Sequence, residues 1–273
     1  MEVKSLKNTD IEVIIDCFLK AFSNHFVDFP DDPDYFKNRW TLNKVDFSLS
    51  YGMFYKNELV GFILNAIDTR NGKRIAYNAG TGVIPKQRGK KITKTLYEHA
   101  LPILKKEGVE QCLLEVITLN EVAIHSYETI GFTKRKKYRC FSGEIKTCSE
   151  DDILLQEMKV KDITYEQLQN DQDYSWDYRW ETIKESNDLY YTVSFEDKVE
   201  SYFIFNPASK QIVQFEVLQS AESAWARLFQ GIKQVSPTIS INNVDENLEE
   251  KIEALKQTGL KNAINQYEMV LDF

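Results

Sequence analysis

Two stretches of this 273-residue chain combine residue types that could do chemistry. The first is Val83-Ile84-Pro85-Lys86-Gln87-Arg88-Gly89-Lys90-Lys91-Ile92-Thr93. An apolar strand pattern ends there, proline stops the ladder, and a basic glycine-containing turn leads straight into a helix pattern. Free amides and the positive dipole end at a helix N-terminus make a ready anion site. Arg88, Lys90 and Lys91 add formal charge, so a pyrophosphate is the natural occupant; with no ligand the same turn is a solvated basic loop. The second stretch is the apolar run Cys112 to Ile117, interrupted by Glu115, followed by Asn120-x-x-Ala123-x-x-x-Tyr127-x-x-x-Gly131-Phe132. A carboxylate inside an apolar strand needs a reason, which makes Glu115 a candidate general base. A solvent-facing or structurally paired Glu115 accounts for it equally well. His99 and His125 have better intrinsic pKa for the task, and an ordered water is a further alternative.

Several elements must position these residues. Ile11, Ile14, Ile15, Phe18, Leu19 and Phe22 share one helical face, predicting a helix from Asp10 to Phe22 with Thr9 or Asp10 as its cap. A loop with a short helix from Pro33 follows. Gly52 to Tyr55 and Leu59 to Ile67 then read as a hairpin turning at Lys56-Asn57-Glu58, with a second reversal at Asn71-Gly72-Lys73. A strand from about Ile75 to Val83 precedes the basic turn and its helix, in which Pro102 predicts a kink or an early end. Gly108 stops that helix, and a short helix from Asn120 to Ile130 ends at Gly131. A basic strand from Lys134 to Phe141 closes an α+β unit.

Taken together, the two stretches resemble the GNAT superfamily of N-acetyltransferases, whose coenzyme A loop is Arg/Gln-x-x-Gly-x-Gly/Ala after a V-x-P strand end. Arg88, Gly89 and Pro85 match; Lys91 stands at the usual first motif glycine and Thr93 at the usual Gly/Ala. The resemblance implies acetyl-CoA as acyl donor, held by Val83, Arg88, Gly89, Lys90, Lys91, Ile92, Thr93 and Asn120. It implies Tyr127 as proton donor to the leaving thiolate, since a phenol of pKa ~10 suits a thiol of ~8.5. A splayed fourth strand ending near Val83 would offer backbone N–H to the thioester carbonyl, and an amine would attack directly. The segment Phe26 to Trp40 lies where the family builds its acceptor wall. Asp28, Asp31, Asp32 and Asp34 beside Phe29, Tyr35 and Trp40 would suit a cationic amine, or form a solvated acidic turn over core aromatics.

The second half repeats the plan. Phe195-Glu196-Asp197-Lys198-Val199 resembles Tyr55-Lys56-Asn57-Glu58-Leu59 at an offset of 140, whereas Ser240-Ile241 and Thr258-Gly259-Leu260 match Cys112-Leu113 and Ile130-Gly131-Phe132 at 128. The expected fold is thus α+β, two GNAT-like domains at residues 1–145 and 146–273, each a mixed central sheet flanked by helices. The second is expected to be degenerate, with Leu248 and Leu255 at the Asn120 and Tyr127 positions and no basic loop after Val217. The aromatic run Tyr174 to Trp180 would line a cleft or pack in the core.

Composition sets the outer limits. Hydrophobic residues at 42% and charged residues at 28% exclude wholesale disorder and a miniature disulfide scaffold. Residues 1–144 carry 22 Lys and Arg against 18 Asp and Glu, the remainder 12 against 24. That acidic balance argues against nucleic acid as the partner, and no apolar run is long enough for a membrane span. Four scattered cysteines show no metal spacing, so no metal is expected. The start has no export pattern, giving a cytoplasmic expectation. A monomer is expected, the second copy replacing a dimer mate. A non-catalytic acyl-CoA-binding regulator is the alternative function.

Overall fold

The computed structural model describes residues 1–23, 26–218, 221 and 223–273. It divides into two compact units, the first formed by 1–116, 120–135 and 268–273, the second by 117–119 and 136–267. The expected boundary at 145 therefore stands beside a division at Arg135/Lys136, and the last residues return to the first unit.

In the first unit, β1 (Glu2–Ser5) pairs antiparallel with β2 (Tyr51–Tyr55), ahead of β3 (Glu58–Arg70), β4 (Lys73–Val83) and β5 (Gln111–Ile117). The C-terminal strand β13 (Gln266–Asp272) lies beside β5. Each reversal is dictated locally. Lys56 and Asn57 both take positive φ, 51° and 67°, the geometry of a two-residue turn matched to strand twist. Asn71 and Gly72 do the same between β3 and β4. Helix α1 (Ile11–Phe22) is capped by Asp10, whose Oδ1 accepts from Glu12 N at 3.0 Å, and α2 (Pro33–Leu42) by Asp32 in the same way. Phe18, Phe29, Phe36, Trp40 and Phe62 stack over one sheet face, so Phe29 and Trp40 belong to the core.

Helix α3 (Ile92–Lys106) buries Ile92, Leu96, Tyr97, Ala100 and Leu104. It runs through Pro102 and ends after Lys106, later than the sequence suggested. Pro102 and Glu98 both face solvent, where water can serve the carbonyl that the missing N–H leaves open. Helix α4 (Glu121–Ile130) is capped by Asn120 and closed by Gly131 at φ 117°.

The second unit follows the same plan. Its sheet order is β6 (Thr133–Glu144), β11 (Thr238–Asp245), β10 (Gln211–Val217), β9 (Lys198–Asn206), β8 (Leu189–Phe195) and β7 (Leu154–Lys159), with helices α6 (Ala224–Val235) and α7 (Glu249–Gln257). The β8–β9 hairpin repeats the β2–β3 hairpin in detail. Glu196 and Asp197 have φ of 49° and 60°, and its register slips between Val193 and Ser194 as the first slips between Met53 and Phe54. Between β4 and β10, however, the bulged residues Ala79 and Val213 stand 134 apart. Half of the lost residues thus come from a shorter β9–β10 hairpin, the rest between β10 and β11.

Candidate active site

The site is built around the point where β4 and β5 part. Their parallel pairing covers Ile75–Tyr77 against Gln111–Leu113 and goes no further. A β-bulge at Ala79 causes the split: on β3, Leu64 faces Gly80 while Asn65 faces Asn78, which bends β4 away. Asn78 fixes the bulge, its Oδ1 accepting from Gly80 N at 2.9 Å. Beyond this point β4 offers its edge to a wedge, with Glu115 two residues past the last pair on the β5 arm.

Two phenols close the apex of the wedge. Tyr97 from α3 and Tyr127 from α4 meet edge to face at 6.1 Å, with Phe132 against both. Asn78 Nδ2 donates to Tyr97 Oη at 2.6 Å and to Thr81 Oγ1 at 2.7 Å, and Tyr127 hydrogen-bonds to Thr81 and Asn78. Burial raises the Tyr127 pKa above the ordinary phenol value, and those two hydrogen bonds oppose the rise. Tyr97, more strongly affected by burial, is held well above it.

The basic loop is ordered by its own side chains. Arg88 Nε donates to Val83 O at 3.2 Å and Nη2 to Ala21 O at 2.8 Å, so the guanidinium ties the loop to the end of α1. Its charge is spent on backbone carbonyls, a role that motif reading does not reveal. Gly89 (φ 76°) and Lys91 (φ 59°) are both left-handed, and Gly89 faces open space. Lys91 holds the conformation a glycine usually supplies and serves as N-cap of α3. Lys86, Lys90 and Lys91 are exposed; Lys90 Nζ donates to Gln87 Oε1 at 2.7 Å. Ile92 is buried in the core, so only its backbone faces the loop, and Thr93 sits half-buried in the first turn of α3. The loop therefore keeps exposed lysines and left-handed backbone at a helix N-terminus, which suits a polyphosphate.

The remaining candidates are less convergent. Asn120 Oδ1 accepts from Ala123 N at 3.2 Å as a helix cap, leaving its Nδ2 for another partner. Glu115 is the half-buried residue of an otherwise buried β5. His99 packs edge-on to Tyr51 at 4.9 Å, and His125 is exposed. Each stands two residues past or before a wedge phenol, about 200° round its helix and thus off the wedge. Burial pushes the Cys17 and Cys112 thiols up to about 12, which leaves them inert as nucleophiles. Among the described residues, no group of three His, Cys, Asp or Glu side chains gathers to hold a metal, and no helix is long and apolar enough to cross a membrane.

In the second unit the corresponding wedge is filled. Two residues past each bulge stand Thr81 in β4 and Phe215 in β10. There Tyr174 Oη accepts from Phe215 N at 2.9 Å and from Lys251 Nζ at 3.0 Å. Its one proton is shared between Phe215 O at 2.8 Å and Glu216 Oε1 at 2.9 Å. Lys251 also pairs with Glu216, and all three side chains are buried. Burial lowers the Lys251 pKa while Glu216 opposes it. The hollow left beside them, lined in part by Val213, Asn243 and Leu248, has about 280 Å³ including open solvent. Typical ligand sites begin near 300 Å³.

Residues 13–132 match the family model described as Acetyltransferase (GNAT) family. With the split sheet, loop and phenol in place, this defines the class: the chain carries a GNAT-type N-acetyltransferase domain. Among curated proteins it is similar to N-alpha-acetyltransferase 30 of Schizosaccharomyces pombe, 26% identical over 109 residues, 39% of this chain and 69% of that protein. Among solved structures it is similar to a tandem GNAT protein from the clavulanic acid biosynthesis pathway. That likeness has a TM-score of 0.72 at 13% identity and covers 99% of this chain and 98% of the other. A GCN5-related N-acetyltransferase from Sphaerobacter thermophilus gives 0.69 at 12% identity, covering 99% and 95%. At such identities the likeness concerns the fold, and it extends over both units: two GNAT-like α+β domains, each a mixed sheet flanked by helices.

Proposed function

We propose that the first unit transfers the acetyl group of acetyl-CoA to an amine, by direct attack on the thioester and with no acyl-enzyme. The observation that carries this is Tyr127 at the apex of the β4–β5 wedge, beside Thr81 and Asn78. The loop amides of residues 88–93, with Lys90 and Lys91, would hold the pyrophosphate; the β4 edge up to Val83 would orient the thioester. The C–N bond forms as the C–S bond breaks. Glu115 or a water on the β5 arm takes the amine proton, and Tyr127 gives its proton to the departing sulfur. The protein works mainly by positioning and polarisation.

The acceptor belongs to the same proposal. An α-amine of a peptide is one class, motivated by the N-alpha-acetyltransferase likeness. A small cationic amine is the other, motivated by the exposed acidic residues Asp28, Asp31 and Asp34. The second unit, with residues 136–267 at its centre, is read as a degenerate copy in which Tyr174 and Lys251 take up the coenzyme's place. The four cysteines are free thiols, in keeping with a cytosolic setting. The test is a panel of free-amine peptides, polyamines and amino sugars with acetyl-CoA, followed by thiol release. Tyr127→Phe should bind acetyl-CoA normally and lose about 10²-fold in turnover. Full turnover by that variant would refute the proton-donor role, and no turnover with any amine would favour a coenzyme binder.

A further inference from the structure

The hydroxyl cluster at the wedge has a direction. Asn78 Oδ1 is committed to Gly80 N–H at 2.9 Å, which fixes the amide's orientation and turns Nδ2, a pure donor, toward the oxygens. Its two N–H groups go to Tyr97 Oη at 2.6 Å and Thr81 Oγ1 at 2.7 Å. Thr81 already accepts there, so its single O–H proton is free for the Tyr127 oxygen to which it is hydrogen-bonded. The Tyr97 proton has the second lone pair of Thr81 Oγ1 to point at. Tyr127 is then an acceptor on the inner side and must direct its own proton outward, into the wedge.

We infer that Thr81, oriented by Asn78, is a positioning residue that sets the polarity of Tyr127, so that the phenol donates to the leaving sulfur rather than to the protein. This rests on the proton-donor reading of Tyr127. When the proton passes from Tyr127 Oη to the sulfur, the Thr81 O–H bonds to a phenolate oxygen, and such a charge-assisted bond strengthens as charge develops. The proton released by the acceptor amine restores the neutral phenol over the cycle. No part of the coenzyme motif includes Thr81, Asn78 or Tyr97; the bulge at Ala79 brings them to the site.

The test compares Thr81→Val, which keeps the shape and removes the hydroxyl, with Thr81→Ser, which keeps the hydroxyl. Both are also made in a Tyr127→Phe background. The readouts are kcat from thiol release, with acetyl-CoA and the amine selected by the panel, and the dissociation constant of acetyl-CoA by calorimetry. Thr81→Val should lower kcat about tenfold or more with binding within twofold, as expected for losing a hydrogen bond to a developing charge. Thr81→Ser should restore most of the rate, and Thr81→Val should cost nothing further once Tyr127 is Phe. A wild-type kcat in Thr81→Val, failure of Ser to rescue, or an undiminished loss in the Phe background would each overturn the inference. Wild-type kcat in Tyr127→Phe alone would instead overturn the proton-donor reading beneath it.

Discussion

Tyr174→Phe isolates what fills the wedge of the second unit. The ring and its packing stay; only the hydroxyl leaves. Phe215 N–H, which donates to it at 2.9 Å, then loses its partner in a buried setting. That cost is about 1–3 kcal/mol. The bond shared between Phe215 O and Glu216 is lost as well, worth about 1 kcal/mol net. Lys251 keeps its pairing with Glu216, so no charge is stranded. The sum is a destabilisation of about 2–4 kcal/mol. Urea unfolding followed by tryptophan fluorescence reads it well, since Trp176, Trp180 and Trp225 lie in the second unit and Trp40 in the first. Far-ultraviolet circular dichroism gives the parallel curve. A midpoint shift worth under about 0.5 kcal/mol, the range of an indifferent surface change, would refute the idea that the hydroxyl substitutes for a ligand there.

Other consequences are as direct. Lys251→Met should destabilise by about 3–5 kcal/mol because Glu216 is left buried and unpaired, whereas Lys251→Met with Glu216→Met should recover most of that in the same urea assay. Lys91→Gly should raise the unfolding free energy by about 0.5–1 kcal/mol, since a left-handed lysine gives way to the residue suited to φ 59°. Because burial raises the Tyr127 pKa, the neutral phenol survives beyond the ordinary range. A pH–rate profile should therefore rise as the amine deprotonates and show no descending limb below about pH 10.

Much of the fold could be read from residue order. The α1 face from Ile11 to Phe22, the paired turn at Lys56-Asn57 and the Asn120 and Gly131 caps act through neighbours in sequence, so their signals are local. The short strand Glu2–Ser5 escaped because it is mostly exposed and carries no alternating apolar pattern. The return of the last strand to the first unit is a long-range pairing that no periodicity encodes. At the site, the loop and Tyr127 could be recognised from spacing. Asn78 and Thr81 could not, being polar residues in a strand whose bulge is visible only against β3. Arg88 carried the correct type for phosphate, but its guanidinium found carbonyls of Val83 and Ala21 first. Tyr174 stood in an aromatic run that read as core or cleft lining, and its role depends on a backbone N–H 41 residues away.

The account turns on a single working coenzyme cleft, and calorimetric titration of acetyl-CoA into the full chain tests that most directly. One equivalent per chain is predicted, with affinity about tenfold weaker in Lys90→Ala, Lys91→Ala, as expected for removing two charges from an exposed anion site. Two equal sites would contradict the filled wedge of the second unit, and no binding at millimolar coenzyme would contradict the acetyltransferase assignment of the first.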